Sequence, residues 1–127
     1  MSSTSAPKIK AFTAGGVIPE FTFVKFGADK QTIVACGLNE RAIGIAQNRG
    51  GSILGDTVEV ALPFGGAKLK LTGVTALGKM LTSAADGKGY VPAAGGLWVA
   101  AVAYEDGVAG DIAFVMVTGF PSAASDV

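Results

Sequence analysis

The feature that most constrains the fold is a strand–turn–strand phrase that the chain uses twice. Residues 42–62, AIGIAQNRGGSILGDTVEVAL, read as a short apolar strand, a Gly-rich turn closed by Gly55-Asp56, and a second strand. In that second strand Val58 and Val60 alternate with Thr57 and Glu59. Alternation with period two, bounded by Gly and Asp, marks a half-buried strand pair. Residues 97–117, LWVAAVAYEDGVAGDIAFVMV, repeat the phrase, with 98–103 as first strand, Gly110-Asp111 closing the turn and 112–117 as second strand. The echo reaches upstream. GVIPEFTFVKFGAD (16–29) aligns without a gap on GVTALGKMLTSAAD (73–86), an offset of 57, whereas Asp56 to Asp111 is 55. The chain reads as two diverged copies of one β unit, about 14–62 and 71–118, the second with a shorter turn.

The remaining segments fit the same pattern. FTFVKF (21–26) carries aromatic and β-branched residues on both faces, as strands do, and 31–35 follows it after a turn. Pro63-Phe64-Gly65-Gly66 breaks the chain, and 67–71 begins a link into the second copy. Strands are expected at 79–82, 90–92, 97–104 and 111–118. No stretch shows a helical period over ten residues. Strands at regular spacing with Gly-rich turns predict an all-β barrel or sandwich. Its parts are an extended N-terminal arm (1–13), one β domain (14–120) and a C-terminal tail (121–127). The arm opens with a Ser/Thr/Ala-rich stretch of low hydrophobicity, the kind that orders only on a partner. Lys8, Ile9, Lys10 and Phe12 then alternate charged and apolar groups as an edge strand does. Two readings stand open for them: an arm that wraps a neighbour, or a strand closing the protein's own sheet.

A chain of 127 residues, half of them hydrophobic, builds one core easily. Its charged fraction of 16% lies below the usual ~25% for a soluble domain, which favours a surface partly covered by other subunits. Net charge is zero, so no global field draws the protein to nucleic acid or membrane. Residues 1–70 carry eight Lys/Arg against five Asp/Glu, net +3, and residues 71–127 carry two against five, net −3. Chance scatter on a solvated surface accounts for this, and head-to-tail contacts between copies could also use it. Residues 1–10 lack the apolar core of a secretory signal, and the apolar run 90–104 is broken by Pro92, Gly95 and Gly96, so no span of a membrane is expected.

Nothing in the sequence assembles catalytic chemistry. Histidine is absent, which weighs against a His-based triad or a His-ligated metal. The single Cys36 sits among small apolar residues and reads as a buried hydrophobe. Most carboxylates fall in turns, where Asp bonds its own backbone. Glu105-Asp106, side by side in one loop, do not face each other across a cleft as glycosidase carboxylates must. Gly50-Gly51-Ser52 lacks the Lys and the following helix of a phosphate loop. No catalytic residue, cofactor or metal is expected.

Two resemblances bear on function. Gly55-Asp56-Thr57-Val58 resembles the Gly-Asp-X-Val element of biotinyl and lipoyl carrier domains, for which Lys79 in Gly78-Lys79-Met80 would be the modified lysine. A longer series resembles the small capsid decoration (cement) proteins of tailed phages and prophages. It runs through Ala14-Gly15-Gly16-Val17-Ile18, Phe23-Val24-Lys25-Phe26-Gly27, Ile43-Gly44-Ile45-Ala46 and Gly55-Asp56-Thr57-Val58-Glu59-Val60. The second half follows with residues 81–88, then Val91-Pro92-Ala93-Ala94 and Ala109-Gly110-Asp111-Ile112. The order of these phrases, more than any one of them, carries the likeness.

This second resemblance implies a non-enzymatic β-barrel subunit on the outer surface of a virion capsid, tying major capsid subunits together. It also implies a homo-oligomer, with a trimer expected first and a dimer as the alternative. Candidate contact residues are Lys8, Ile9, Lys10 and Phe12 of the arm, with Phe64 and Phe120 as exposed aromatic anchors. Phe64 and Phe120 read equally well as caps on the barrel core, and Trp98 and Phe114 as core. A carbohydrate-binding or adhesion module is the further alternative to the carrier, although a lone Trp98 inside an apolar strand makes a poor sugar platform.

Overall fold

The computed structural model describes residues 9–38, 40–50, 55–63, 65–92 and 99–120, and among these every regular element is a strand. The first five are β1 (Ile9–Ala14), β2 (Phe23–Phe26), β3 (Thr32–Ala35), β4 (Gly44–Ala46) and β5 (Thr57–Ala61). They form a closed barrel in the order β1-β3-β2-β4-β5. All its pairings are antiparallel except β1 with β3, where Thr13 and Ala14 run parallel to Thr32 and Ile33 and shut the barrel. The next five are β6 (Gly66–Lys70), β7 (Met80–Ser83), β8 (Gly89–Tyr90), β9 (Val99–Ala103) and β10 (Ile112–Phe120). They make a sheet in the order β6-β10-β9-β7-β8, whose two edges meet, among the described residues, at one parallel bridge, Leu71 to Gly89.

The two sheets are the same unit built twice. In the first, Phe23 pairs with Ile45, Val24 with Gly44, Ala46 with Val60 and Phe12 with Val58. In the second, Met80 pairs with Val102, Leu81 with Ala101, Ala103 with Val115 and Leu69 with Ala113. Each pair maps onto the other by the offset of 57 before the turn and 55 after it. Isolated bridges repeat as well, Ile18 to Gly50 and Thr75 to Gly107. The closing turns match in conformation: Gly55 and Gly110 hold φ of 94° and 91°, a region costly for any side chain. Phe21, at φ 61°, occupies the position where the second copy has Gly78 at 88°.

The repeat is longer than the sequence pattern alone marks out. Residues 67–71, expected to be a link, lie almost wholly in β6, which stands where β1 stands in the first copy. Ala67 and Leu69 point inward while Lys68 and Gly66 face out, the period-two pattern of a half-buried strand. Of the two readings left open for residues 9–13, the structure has the strand that closes the protein's own sheet. Moving the boundary also removes the apparent charge polarity. Between 9 and 61 there are five basic and five acidic residues, and between 66 and 116 four of each, because Lys68 and Lys70 belong to the second copy.

Packing divides into two clusters. Phe12, Ala14, Ile18, Val24, Ile33, Ala46, Val58 and Val60 fill the first barrel. The second cluster joins the copies: Phe23, Cys36, Ala42, Ile45 and Ala61 leave the outer face of the first barrel and pack with Leu69, Leu71, Leu81, Ala103 and Val115. Cross-strand neighbours Phe23, Ile45 and Ala61 form one row, each 0% exposed. Hydrogen bonds pin this junction. The Lys70 amide donates to the Phe21 carbonyl at 2.7 Å, and the Phe23 amide to the Gly87 carbonyl at 2.7 Å. The Gln47 side chain spans β6 at Lys68, donating to its carbonyl at 3.2 Å and accepting from its amide at 3.3 Å.

The row gives a paired test. Phe23→Ala should cost about 3–5 kcal/mol, the range for truncating a buried aromatic. Met80→Ala, at the matching position but 44% exposed, should cost within about 1 kcal/mol. Urea denaturation of the two variants checks the difference.

Candidate functional site

The candidate contact residues do not gather into one patch. Ile9 is 46% exposed at the start of β1. Lys10 is exposed beside it, its Nζ 5.1 Å from the centre of the Phe12 ring. Phe12 itself faces inward at 6% exposure and meets Phe26 edge-on at 6.1 Å, so it is a core residue and offers no free contact surface. Lys8 and Phe64 lie outside the described residues, as does Trp98. The backbone of Phe120 ends β10, paired with Val99.

The carboxylates serve the backbone. Asp29 accepts from the Gln31 amide and Asp86 from the Lys88 amide, the same local turn in both copies. The Gln31 amide and the Thr32 side chain hold the Asp29 carboxyl below its ordinary pKa. Glu105 and Asp106 diverge: one accepts from the Phe114 amide, the other from the Leu77 amide at 3.0 Å. Asp111 accepts from Val108 within its turn. Glu40 bonds Lys25 at 2.6 Å and also the Gly37 amide, and the lysine contact first of all lowers its pKa. Among the described residues no three Cys, Asp or Glu side chains cluster as metal ligands would. Lys79 is exposed, but it is not at a hairpin tip, because its carbonyl accepts from the Ala103 amide where β7 begins.

Shallow clefts open at the surface among the described residues. One of about 400 Å³ is lined by Leu38, Val74, Tyr90 and Val91 among others. Another, about 330 Å³, lies between Pro19, Glu20, Arg49 and Lys70.

The most distinctive surface is one the sequence reading missed. Met80, Val102 and Met116 form a cross-strand row on the second copy, at the positions of Phe23, Ile45 and Ala61 on the first. No part of the described chain covers it as the first row is covered: Met80 is 44% exposed, and Val102 and Met116 are half-buried. Around it stand Ile112 at 46%, Phe114 at 45% and Tyr104 at 48%, the last two in edge-on contact at 5.9 Å. Phe114, expected in the core, therefore lies on the outer face of β10, its ring against Gly66. The signal was present in the sequence. Residues 112–117 are apolar at every position, whereas 57–61 alternate, and a strand apolar on both faces needs cover on both.

No protein-family model matches the chain, and no curated protein does. Among solved structures it is similar to one described as the N base of the head fiber gp8.5 of bacteriophage phi29. The two share 16% identity and a TM-score of 0.69, over 89% of this chain and 97% of that one. At this identity the likeness is one of fold, and it extends over nearly all of both chains.

Cys36 supplies a test of the junction between copies. It is 2% exposed, and burial, aided by the Glu40 charge, pushes its thiol up to about 12. A thiol reagent at neutral pH should label it only as fast as the protein opens. A folded-state pKa above the unfolded value means that the thiol's contribution to stability is complete below the unfolded pKa of 9.0. That contribution fades as pH rises toward 12. The stability of Cys36→Ala should therefore fall less steeply than that of the wild type across this window.

Proposed function

We propose that this chain is a structural protein of a tailed-phage head, a decoration subunit bound to the outside of the assembled shell. The observation that carries the reading is the fold likeness to a phage head fiber base across nearly the whole of both chains. The ordered series of phrases that resembles phage cement proteins supports it independently. On this reading the partner is the major capsid protein. The subunit acts by bridging capsid neighbours as a homo-oligomer, with a trimer first and a dimer as the alternative. Enzymatic chemistry has no part in it, and the carboxylates described above have backbone duties instead.

The physics suits such a role. Whatever binds the assembled shell but not its free subunits stabilises the shell by mass action. Many copies, each bound modestly, add their free energies, and bivalent attachment raises avidity without any new contact. A barrel stitched by backbone pairing keeps its shape while doing so. Of the candidate contact residues, Lys8, Ile9 and Lys10 stay on this list, with Phe64 and Phe120.

The test is co-sedimentation of the full chain with undecorated shells of its source phage. Saturable pelleting, with shells that better survive heat, is expected. Deleting residues 1–8 should weaken binding by at least about tenfold, equivalent to ~1.4 kcal/mol, while leaving the fold intact. A longer deletion through Phe12 would remove the closing strand and is no test of contact. Protein left wholly in the supernatant overturns the reading.

A further inference from the structure

We infer that the Met80–Val102–Met116 row, which no described residue covers, is the seat of a second copy of this chain, docked head to tail. The inference is independent of the shell and stands or falls on the protein alone.

The first argument is what covers the equivalent row. On the first repeat, Phe23, Ile45 and Ala61 are fully buried, and the element that buries them is another repeat of the same kind. The chain thus contains one example of this contact: a repeat's outer row against the next repeat's first strand and turn, and against the core residues Leu69, Leu71, Leu81, Ala103 and Val115 that its sheet leaves open. β6 supplies the strand, at Lys68 and Lys70, and the 84–87 turn supplies the carbonyl of Gly87. The second repeat carries the same row with nothing of the described chain over it. The first repeat carries the matching strand, β1. Beyond Thr13 and Ala14, which pair with β3, that strand has one edge with no strand partner among the described residues. Ile9 and Lys10 lie on it, both exposed. Among the described residues each chain therefore has an unpaired stretch of strand edge at one end and an exposed apolar row at the other.

The second argument is how the two repeats differ where both face outward. Glu20, Gln47, Thr57 and Glu59 surround the first row; Leu77, Tyr104, Ile112 and Phe114 stand at the same positions around the second. Four polar positions have become apolar while exposed by 45–68%. Contiguous apolar surface of this kind on a small β domain marks a protein contact, and large aromatics dominate such contacts. The match is not complete, because β1 and β3 close the first barrel over its own core where the second sheet is open, so a docking row meets the outside of β1 and not an open core. Thr13 already donates to the Gln31 carbonyl at 2.8 Å, whereas its counterpart Lys70 donates across the junction. Apolar side chains around the second row take over from that lost hydrogen bond. A heterologous contact of this kind closes into a ring or runs on as a fibre.

The substitutions that test it are already written in the sister repeat. Leu77→Glu, Ile112→Thr and Phe114→Glu each install the residue that the first repeat carries at the same exposed place. Sedimentation of the full chain from about 1 μM to about 1 mM should show a discrete ring or a series of oligomers that grows with concentration for the wild type. The triple variant should associate at least about 30-fold more weakly, as loss of hot-spot side chains does, with an unchanged urea midpoint. Val74→Thr, exposed but outside the row, should associate as the wild type does. The orientation is read by oxidative cross-linking. Ala11→Cys and Tyr104→Cys occupy the positions that meet inside the chain as Lys68 and Gln47. A disulfide-linked dimer should form when the two single variants are mixed and in neither alone. A wild type that is monomeric throughout overturns the inference, as does a triple variant that still assembles. Cross-linking of Tyr104→Cys with itself overturns it too, because it would place two rows face to face.

Discussion

The structure depends on the burial of one row of side chains, Phe23, Ile45 and Ala61, between the two repeats. Neither repeat of about fifty residues buries enough surface to be robust alone. The first closes its barrel but leaves this apolar row outside. Among the described residues the second has its two sheet edges joined by only the Leu71–Gly89 bridge, and its core is covered on that side by the first repeat. Docking the row against that core settles both deficits together. Burying a Phe and an Ile contributes roughly 1.5–3 kcal/mol each, and backbone hydrogen bonds from Lys70 and Phe23 fix the register of the contact.

The repeats diverged in ways that suit this division. Ala14 of the first copy corresponds to Leu71 of the second, and Ile33 to Gly89 at the bridge beside it. Volume has moved from one strand to its neighbour. A Cβ on Gly89 would come within 2.4 Å of Leu69, which leaves no room for a side chain there, while Leu71 at 3.7 Å would be an ordinary contact. Volume-conserving exchanges of this kind are the ones cores tolerate. What both copies keep is the close approach under the shorter strands: a Cβ on Gly50 would lie 2.1 Å from Val58, and one on Gly107 2.6 Å from Leu71. Those glycines are set by space rather than by φ, in contrast to Gly55 and Gly110.

The fold class and the doubling were readable because both rest on local pattern. Gly-Asp turns, period-two strands and a constant offset survive divergence, since each depends on backbone conformation and facing alone. The strand β6 was harder. Ala67, Leu69 and Leu71 alternate with lysines, but the preceding Pro-Phe-Gly-Gly reads as a break, and small Ala67 weakens the apolar signal. Phe12 misled for a related reason: alternation says that one face is buried without saying whether its own barrel or a neighbour buries it. The surface around Met80 lay furthest from view. Phe23 and Met80 are equally apolar in sequence, and only the arrangement of the two repeats makes one a core residue and the other half-exposed.

That asymmetry follows from the geometry of repetition itself. When a unit binds its successor through two different surfaces, every finite row of units ends with one surface of each kind unused. A two-repeat chain uses one pair and leaves the other. A monomer of this design would be under pressure to turn its spare acceptor row polar, since an uncovered apolar patch invites aggregation. The exposed positions around the second row have moved the opposite way, from Glu59 to Phe114 and from Glu20 to Leu77. The first repeat, whose row is covered from within, holds a polar rim, and the second, whose row is not, holds an apolar one. The difference is the one expected where the end of each chain meets the beginning of the next.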